Sequence, residues 1–335
     1  MLKQCIFLLV SCFISTAALQ AQVTHWKIQS DKLAGSIQLE FEQSFALEVA
    51  ANTHHQLIIE VLPPKGFVPI RSGFNATRRN IIQGLFMSPQ YWGAADPVFA
   101  IMGDLVTAWN QPREYYRWLN EEQGIKYLEH SYHQFDLKLL GYMVSPMESM
   151  VSNSSLNSID DFVGQRLRTP PGMVFDYFKM IGAKPRLIDV NQVDKALKKK
   201  QISLADYSNL VVNYKEGLYQ HNKYTNFPGF HSMPLLDFVV NQQAWDSISP
   251  VQQQVVTKAL ARWQQSLQLY FDLNLMRTMQ EIQDSGVKVS NWPPSQRVEA
   301  RRRALPIWRK YAAQSPTATG LIEQLITWLE QIGNL

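Results

Sequence analysis

Arg168 is the residue whose type and position best suit it to grip an anion. The stretch 162–168 reads as a short strand, and Thr169-Pro170-Pro171-Gly172 breaks it sharply. A guanidinium is always charged and presents a planar fork that matches a carboxylate with two parallel hydrogen bonds. The plainer alternative is an arginine paired with a surface acid, an arrangement worth little. Asp206 and Tyr207 close the run 202–207, a second strand end, and set a carboxyl beside a phenol. Tyr91 and Trp92 follow the apolar run 85–87 in Ser88-Pro89-Gln90-Tyr91-Trp92-Gly93. Aromatic rings there either wall a ligand pocket or pack in the core, because both bury large apolar area.

Secondary-structure signals place these residues at one end of parallel strands. After the break at Gly172, residues 174–181 form a helix, stopped where Gly182 supplies a left-handed residue. Residues 186–188 form a second strand. Asp189 or Asn191 caps a helix that ends on Lys198-Lys199-Lys200, cations suited to its negative end. With the strand 202–207 this is a β-α-β-α-β unit, whose strands run parallel. Ligands of open α/β sheets bind at the carboxyl ends of such strands. The first half repeats the plan: strand 25–29, an amphipathic helix 36–51 with Ile37, Phe41, Phe45 and Val49 four apart, strand 57–62, a helix ending over 80–84, and strand 85–87.

The runs 137–143 and 235–241 read as crossings between two lobes, which would make a hinge. Two short helices precede the first crossing, over 113–120 and 124–130, and a turn-rich segment, 226–231, precedes the second. Ser249-Pro250 opens a helix that reaches Gly286, roughly 50 Å at 1.5 Å per residue. That is long enough to lie along both lobes. A short strand, 287–289, and helices over 295–314 and 317–332 close the chain, with Arg301-Arg302-Arg303 expected on a solvated helix face. The expected division is 1–21 leader, 22–142 with 234–265 as one lobe, and 143–233 with 266–335 as the other.

Composition bounds the partners. Lys3 followed by the apolar run 5–14 and Ala17, Ala18 and Ala21 reads as a secretory signal cleaved near Ala21. Both cysteines, Cys5 and Cys12, fall inside it, so the mature chain needs no disulfide. A formal net charge of +4 over 335 residues leaves no nucleic-acid footprint. There is no His-Glu-x-x-His, Cys-x-x-Cys, Gly-x-Ser-x-Gly or Gly-rich phosphate loop. His54 and His55 are expected to point apart on a strand, and His130 with His133 lack a recurring acidic partner. Nothing here assembles a nucleophile with its base.

The run Ser158-Ile159-Asp160-Asp161-Phe162-Val163-Gly164-Gln165-Arg166-Leu167-Arg168 resembles a segment of the extracytoplasmic solute-binding proteins of tripartite ATP-independent periplasmic (TRAP) transporters, of the DctP type. So do Met180-Ile181-Gly182-Ala183-Lys184-Pro185 and Val240-Asn241-Gln242-Gln243-Ala244-Trp245. Ser88-Pro89-Gln90-Tyr91-Trp92 and Phe227-Pro228-Gly229-Phe230-His231 are similar to segments of the branch that binds 2-oxo acids. The resemblance implies a two-lobed α/β periplasmic-binding-protein fold, with crossing strands as a hinge and a long helix spanning both lobes. It implies no catalysis: a small organic carboxylate, a 2-oxo or hydroxy acid, is captured in the periplasm and delivered to the membrane permease subunits of the transporter. Relatives that dimerise raise the expectation of a homodimer.

Carried over residue by residue, the resemblance gives Arg168 the substrate carboxylate. Asp206-Tyr207 stands where the 2-oxo-acid branch has Glu-Trp beside a bound metal ion. Ser145-Pro146-Met147-Glu148 lacks the glutamine that helps there. Asp206 is then the metal candidate, limited to a monovalent or calcium ion, for want of a histidine partner. The alternative role for Asp206 is to accept from a substrate hydroxyl. Glu148 is expected either at the ligand or facing water, and Phe230 at the pocket wall. Two rival functions remain: an adaptor that uses the same fold to report ligand to a membrane receptor, and an exported hydrolase on a two-domain α/β fold.

Overall fold

The computed structural model describes residues 23–335; the expected signal, its cysteines and its cleavage point lie outside them. Eleven strands build two sheets among those residues. They are β1 (Thr24–Ser30), β2 (Leu57–Leu62), β3 (Gly84–Met87), β4 (Leu137–Val144), β5 (Glu148–Ser152), β6 (Arg166–Thr169), β7 (Lys184–Leu187), β8 (Leu204–Asn209), β9 (Tyr224–Asn226), β10 (Leu235–Asn241) and β11 (Lys288–Ser290). The first sheet has the order β2-β1-β3-β10-β4 and the second β11-β9-β5-β8-β6-β7. The expected parallel units are present: β1 pairs parallel with β2 and β3, and β6 pairs parallel with β7 and β8. Both put their carboxyl ends toward the space between the sheets, where Tyr91, Arg168 and Asp206 line one cleft.

The crossings differ from expectation. β4 and β10 belong wholly to the first sheet, paired antiparallel. The chain changes sheet just after β4, through Ser145-Pro146-Met147, and just before β10, through residues 227–234. These two segments hydrogen-bond to each other: Ser145 N donates to Pro234 O at 2.8 Å and Glu148 N to Ser232 O at 2.9 Å. Their approach requires Gly229, where a Cβ would lie 1.6 Å from the Glu148 carbonyl oxygen.

The long helix runs over Pro250–Asp284, 35 residues. Ser249 Oγ accepts from Gln252 N while Gln252 Oε1 accepts from Ser249 N, a reciprocal cap. Its first half buries Val256, Leu260, Trp263 and Leu267 with Trp26, Phe45 and Phe238 of the first sheet's core. Its second half buries Ile282 with Val151, Ala205 and Tyr219 of the second. It is thus a spine along both sheets.

Three local expectations fail for identifiable reasons. The helix expected to end over 80–84 spans Gly73–Arg78, and Gly84 already belongs to β3. His54 and His55 lie not on a strand but in the turn after the helix Ile37–Asn52, both with φ above +45° (50° and 58°). Arg301 is 1% exposed, not solvated. Consecutive helical residues are about 100° apart, so three cannot share one face. Arg301 faces inward, donating from Nε to Thr107 O and from Nη2 to Asn110 Oδ1, each 2.9 Å.

Candidate binding site

Arg168 is the third residue of β6, flanked in register by Arg186 of β7 and Ala205 of β8. It is 6% exposed. Nε donates to Ile188 O at 3.1 Å and Nη1 to Asp206 O at 2.6 Å. Two backbone carbonyls at strand ends thus fix the guanidinium plane, and no carboxylate neutralises it by hydrogen bonding. Nη2 has no protein partner among the described residues. The residue lines a cleft that encloses about 870 Å³ of empty space, its open mouth included.

Opposite ends of this cleft come from the two sheets. The loops after β1 and β3 contribute Asp31, Lys32, Gln90 and Tyr91, and the start of the helix Ile37–Asn52 contributes Gln38. The second sheet contributes Glu148, Arg168, Asp206 and Tyr207. Burial pushes the phenols of Tyr91 and Tyr207 each up to about 12, so both stay neutral.

Beneath Arg168 lies a buried acid cluster. Asp206 is fully buried; its Oδ1 is 3.2 Å from His231 Nε2, and its Oδ2 has no hydrogen-bond partner among the described residues. One ligand atom each from Glu148, Asp206 and His231 lie within 4.8 Å of one another. Asp104 accepts from Ser232 Oγ at 2.6 Å and from Met233 N at 3.2 Å, which ties it to the second crossing. Burial, then the neighbouring Asp206 charge, raises the Glu148 carboxyl well above its usual range. Burial, then Glu148, does the same to Asp104. Burial raises Asp206 too, opposed by the neighbouring Glu148 carboxyl and by the Arg168 charge. Burial lowers His231 to about 4, opposed by Glu148, so its imidazole is neutral at pH 7. Burial therefore favours the protonated form of each of these acids and the neutral form of the histidine.

Several sequence expectations need correction. Glu148 does not face water: it is 8% exposed and lies within the acid cluster. Asp206 does have a histidine partner. Trp92 lies behind the cleft wall, 4% exposed and stacked on Phe74 at 5.3 Å. Phe230 is likewise in the core, stacked on Trp292 at 3.9 Å. In each pair the other residue, Tyr91 or His231, is the one at the cleft or its acid cluster. Neighbouring residues of an extended or tightly turned segment point in different directions, and the sequence signal named both pairs without sorting their faces. Asp31, Lys32, Gln38 and Asp104 carried no motif at all, and Gln90 lay inside the Ser88-to-Trp92 segment without a role of its own.

The sequence model of the bacterial extracellular solute-binding protein family 7 (DctP) matches residues 32–315. The chain belongs to this family. A TRAP periplasmic solute-binding protein from Rhodobacter sphaeroides, in an apo open structure, is 27% identical, with a TM-score of 0.77 over 92% of this chain and 99% of that one. One from Chromohalobacter salexigens with bound D-glucuronate is 18% identical, with a TM-score of 0.80 over 90% and 98%. One from Bordetella bronchiseptica, with copurified calcium and picolinate, is 16% identical, with a TM-score of 0.80 over 93% of each chain. The two-lobed fold and the class, a solute-binding protein of TRAP transport and not an enzyme, follow, and the hydrolase alternative falls away. No helix among the described residues is long and apolar enough to cross a membrane.

Proposed function

We propose that this solute-binding protein captures a small organic carboxylate between its lobes in the periplasm, after loss of its signal, and delivers it to a TRAP permease. The observation that carries the reading is Arg168: a buried guanidinium, fixed on two backbone carbonyls, lining a cleft with one nitrogen lacking a protein partner. In this reading Arg168 holds the carboxylate, Tyr207 and Tyr91 bracket the remainder of the ligand, and Asp206 and Glu148 form the floor. The residues after β4 and before β10 allow the lobes to close. The Tyr91-Trp92 and Phe230-His231 segments support a place near the 2-oxo-acid branch.

A cation fits the floor in donor chemistry. Asp206 and Glu148 would offer carboxylate oxygens and His231 a neutral imidazole; Asp206 Oδ2 already lacks a partner. A calcium ion prefers oxygens, so the two acids would carry it and His231 would hold Asp206 in place. The ion would supply positive charge to the carboxylate beside Arg168. The test of the reading is a thermal-shift screen of organic acids. A ligand at 100 times its dissociation constant adds about 2.7 kcal/mol of stability. Failure of every small carboxylate to stabilise the protein would sink the proposal.

A further inference from the structure

We infer that the cleft takes a polyhydroxylated carboxylate, with Gln38 and Gln90 as the side chains that read its hydroxyl groups; this rests on the assignment of Arg168 to the carboxylate. Gln38 is 8% exposed and lines the cleft. Its amide has no hydrogen-bond partner among the described residues. Gln90, half-buried on the same wall, is likewise unpartnered. Beside them Lys32 Nζ lies 2.7 Å from Asp31 Oδ1. Among the cleft-lining residues from 31 to 104, Leu33 alone is aliphatic.

The chemistry of that wall discriminates between ligands. The amides of Gln38 and Gln90 open onto the cleft, and once closure removes water each is fully matched only by a group that both donates and accepts. A carboxylate or a ketone only accepts, which leaves the amide carbonyls of Gln38 and Gln90 unmatched. A hydroxyl does both: it can accept from Lys32 or an amide N–H and donate to Asp31 or an amide carbonyl. Arg168, on the opposite sheet, supplies donors only and suits the acid end. The ligand that satisfies both walls carries one carboxylate and several hydroxyls spread along its length. Tyr91, neutral beside Gln90, gives such a molecule an aromatic face and one more donor–acceptor.

Calorimetry with D-glucuronate and D-gluconate against hexanoate and 2-oxohexanoate tests this on the mature protein and on Gln38→Leu, Gln90→Leu and Arg168→Ala. At least one hydroxylated acid should bind about tenfold or more tightly than either deoxygenated acid, because unmatched buried polar groups penalise the latter. Each leucine variant should weaken that binding by about tenfold, the cost of a hydroxyl left unpaired. Neither should weaken hexanoate or lower the melting temperature, since leucine replaces an amide with no partner among the described residues. Equal binding of glucuronate by wild type and both leucine variants overturns the inference, as does a preference for hexanoate. If acids bind through Arg168 without regard to hydroxyls, only this inference fails. If Arg168→Ala binds every acid as wild type does, or no acid binds at all, the carboxylate assignment fails with it.

Discussion

Arg168 Nη1 donates to the backbone carbonyl of Asp206 at 2.6 Å, while the Asp206 carboxyl lies beside His231 at 3.2 Å. The anchor on β6 is therefore clamped by the main chain of β8, and one oxygen of the Asp206 carboxyl faces a different partner. An arginine held this way keeps its charge available. In a closed cleft, removing the partner of a buried carboxylate costs on the order of 3–5 kcal/mol. Arg168→Ala should weaken binding of an identified acid by roughly two to four decades, at about 1.4 kcal/mol per decade. It should also lower stability by about 1–3 kcal/mol, because the Ile188 and Asp206 carbonyls lose their donor. Arg168→Lys should recover only part of either, since an ammonium lacks the fork. Arg166, exposed and bonded to Lys200 O, is the control. Damage from Arg166→Ala that matches Arg168→Ala would show the wrong anchor.

Gly229 predicts the sensitivity of the hinge. Its α-carbon faces the Glu148 carbonyl so closely that any side chain forces the two crossings apart. Those crossings also carry Glu148, His231 and the Ser232 contact to Asp104. Gly229→Ala should destabilise the fold by about 1–3 kcal/mol, as overpacking does, and should weaken ligand binding as well. Urea unfolding checks the first and calorimetry the second. A variant as stable as wild type would mean that the crossings do not meet there.

The sequence made the architecture readable because its signals are local and strong. Ser249-Pro250 with Gln252 announces the spine helix, and β2 runs over 57–62 as read. β5 escaped notice because Ser149 and Ser152, both fully buried, interrupt its apolar pattern. Of the site, Arg168, Asp206 and Tyr91 were legible because strand ends and breaks mark them. Gln38, Gln90 and Lys32 were not, because each is an ordinary polar residue whose meaning comes from a cleft closed by distant loops. Arg301 misled because a basic run looks solvated, whereas helix geometry turns one member inward.

Closure is expected from the sheets being joined by two hydrogen-bonded crossings and one shared helix. The cleft is lined from both sheets, so a ligand that touches both favours their approach. Small-angle scattering should show a smaller radius of gyration once a binding acid saturates the protein. An unchanged radius, with binding confirmed by calorimetry, would argue for a rigid cleft.

Glu42 offers a pH test away from the acid cluster. It is 2% exposed in the helix Ile37–Asn52, and burial lifts its carboxyl to about 8, opposed by a hydrogen bond from Ser30 and by the Lys32 charge. A carboxyl whose folded value lies above its unfolded value of 4.5 binds a proton more tightly in the folded state. Its stabilising contribution is therefore complete below about 4.5 and is lost as pH rises through about 8. Each unit is worth about 1.4 kcal/mol, so the loss is on the order of a few kcal/mol. Glu42→Gln imitates the protonated form and does not titrate. Measured by urea unfolding, the variant and wild type should be nearly equal at about pH 5, and the variant should be the more stable by roughly 2–4 kcal/mol at about pH 8.5. A stability difference that stays constant between those two conditions would show that Glu42 is not carrying a proton in the folded protein.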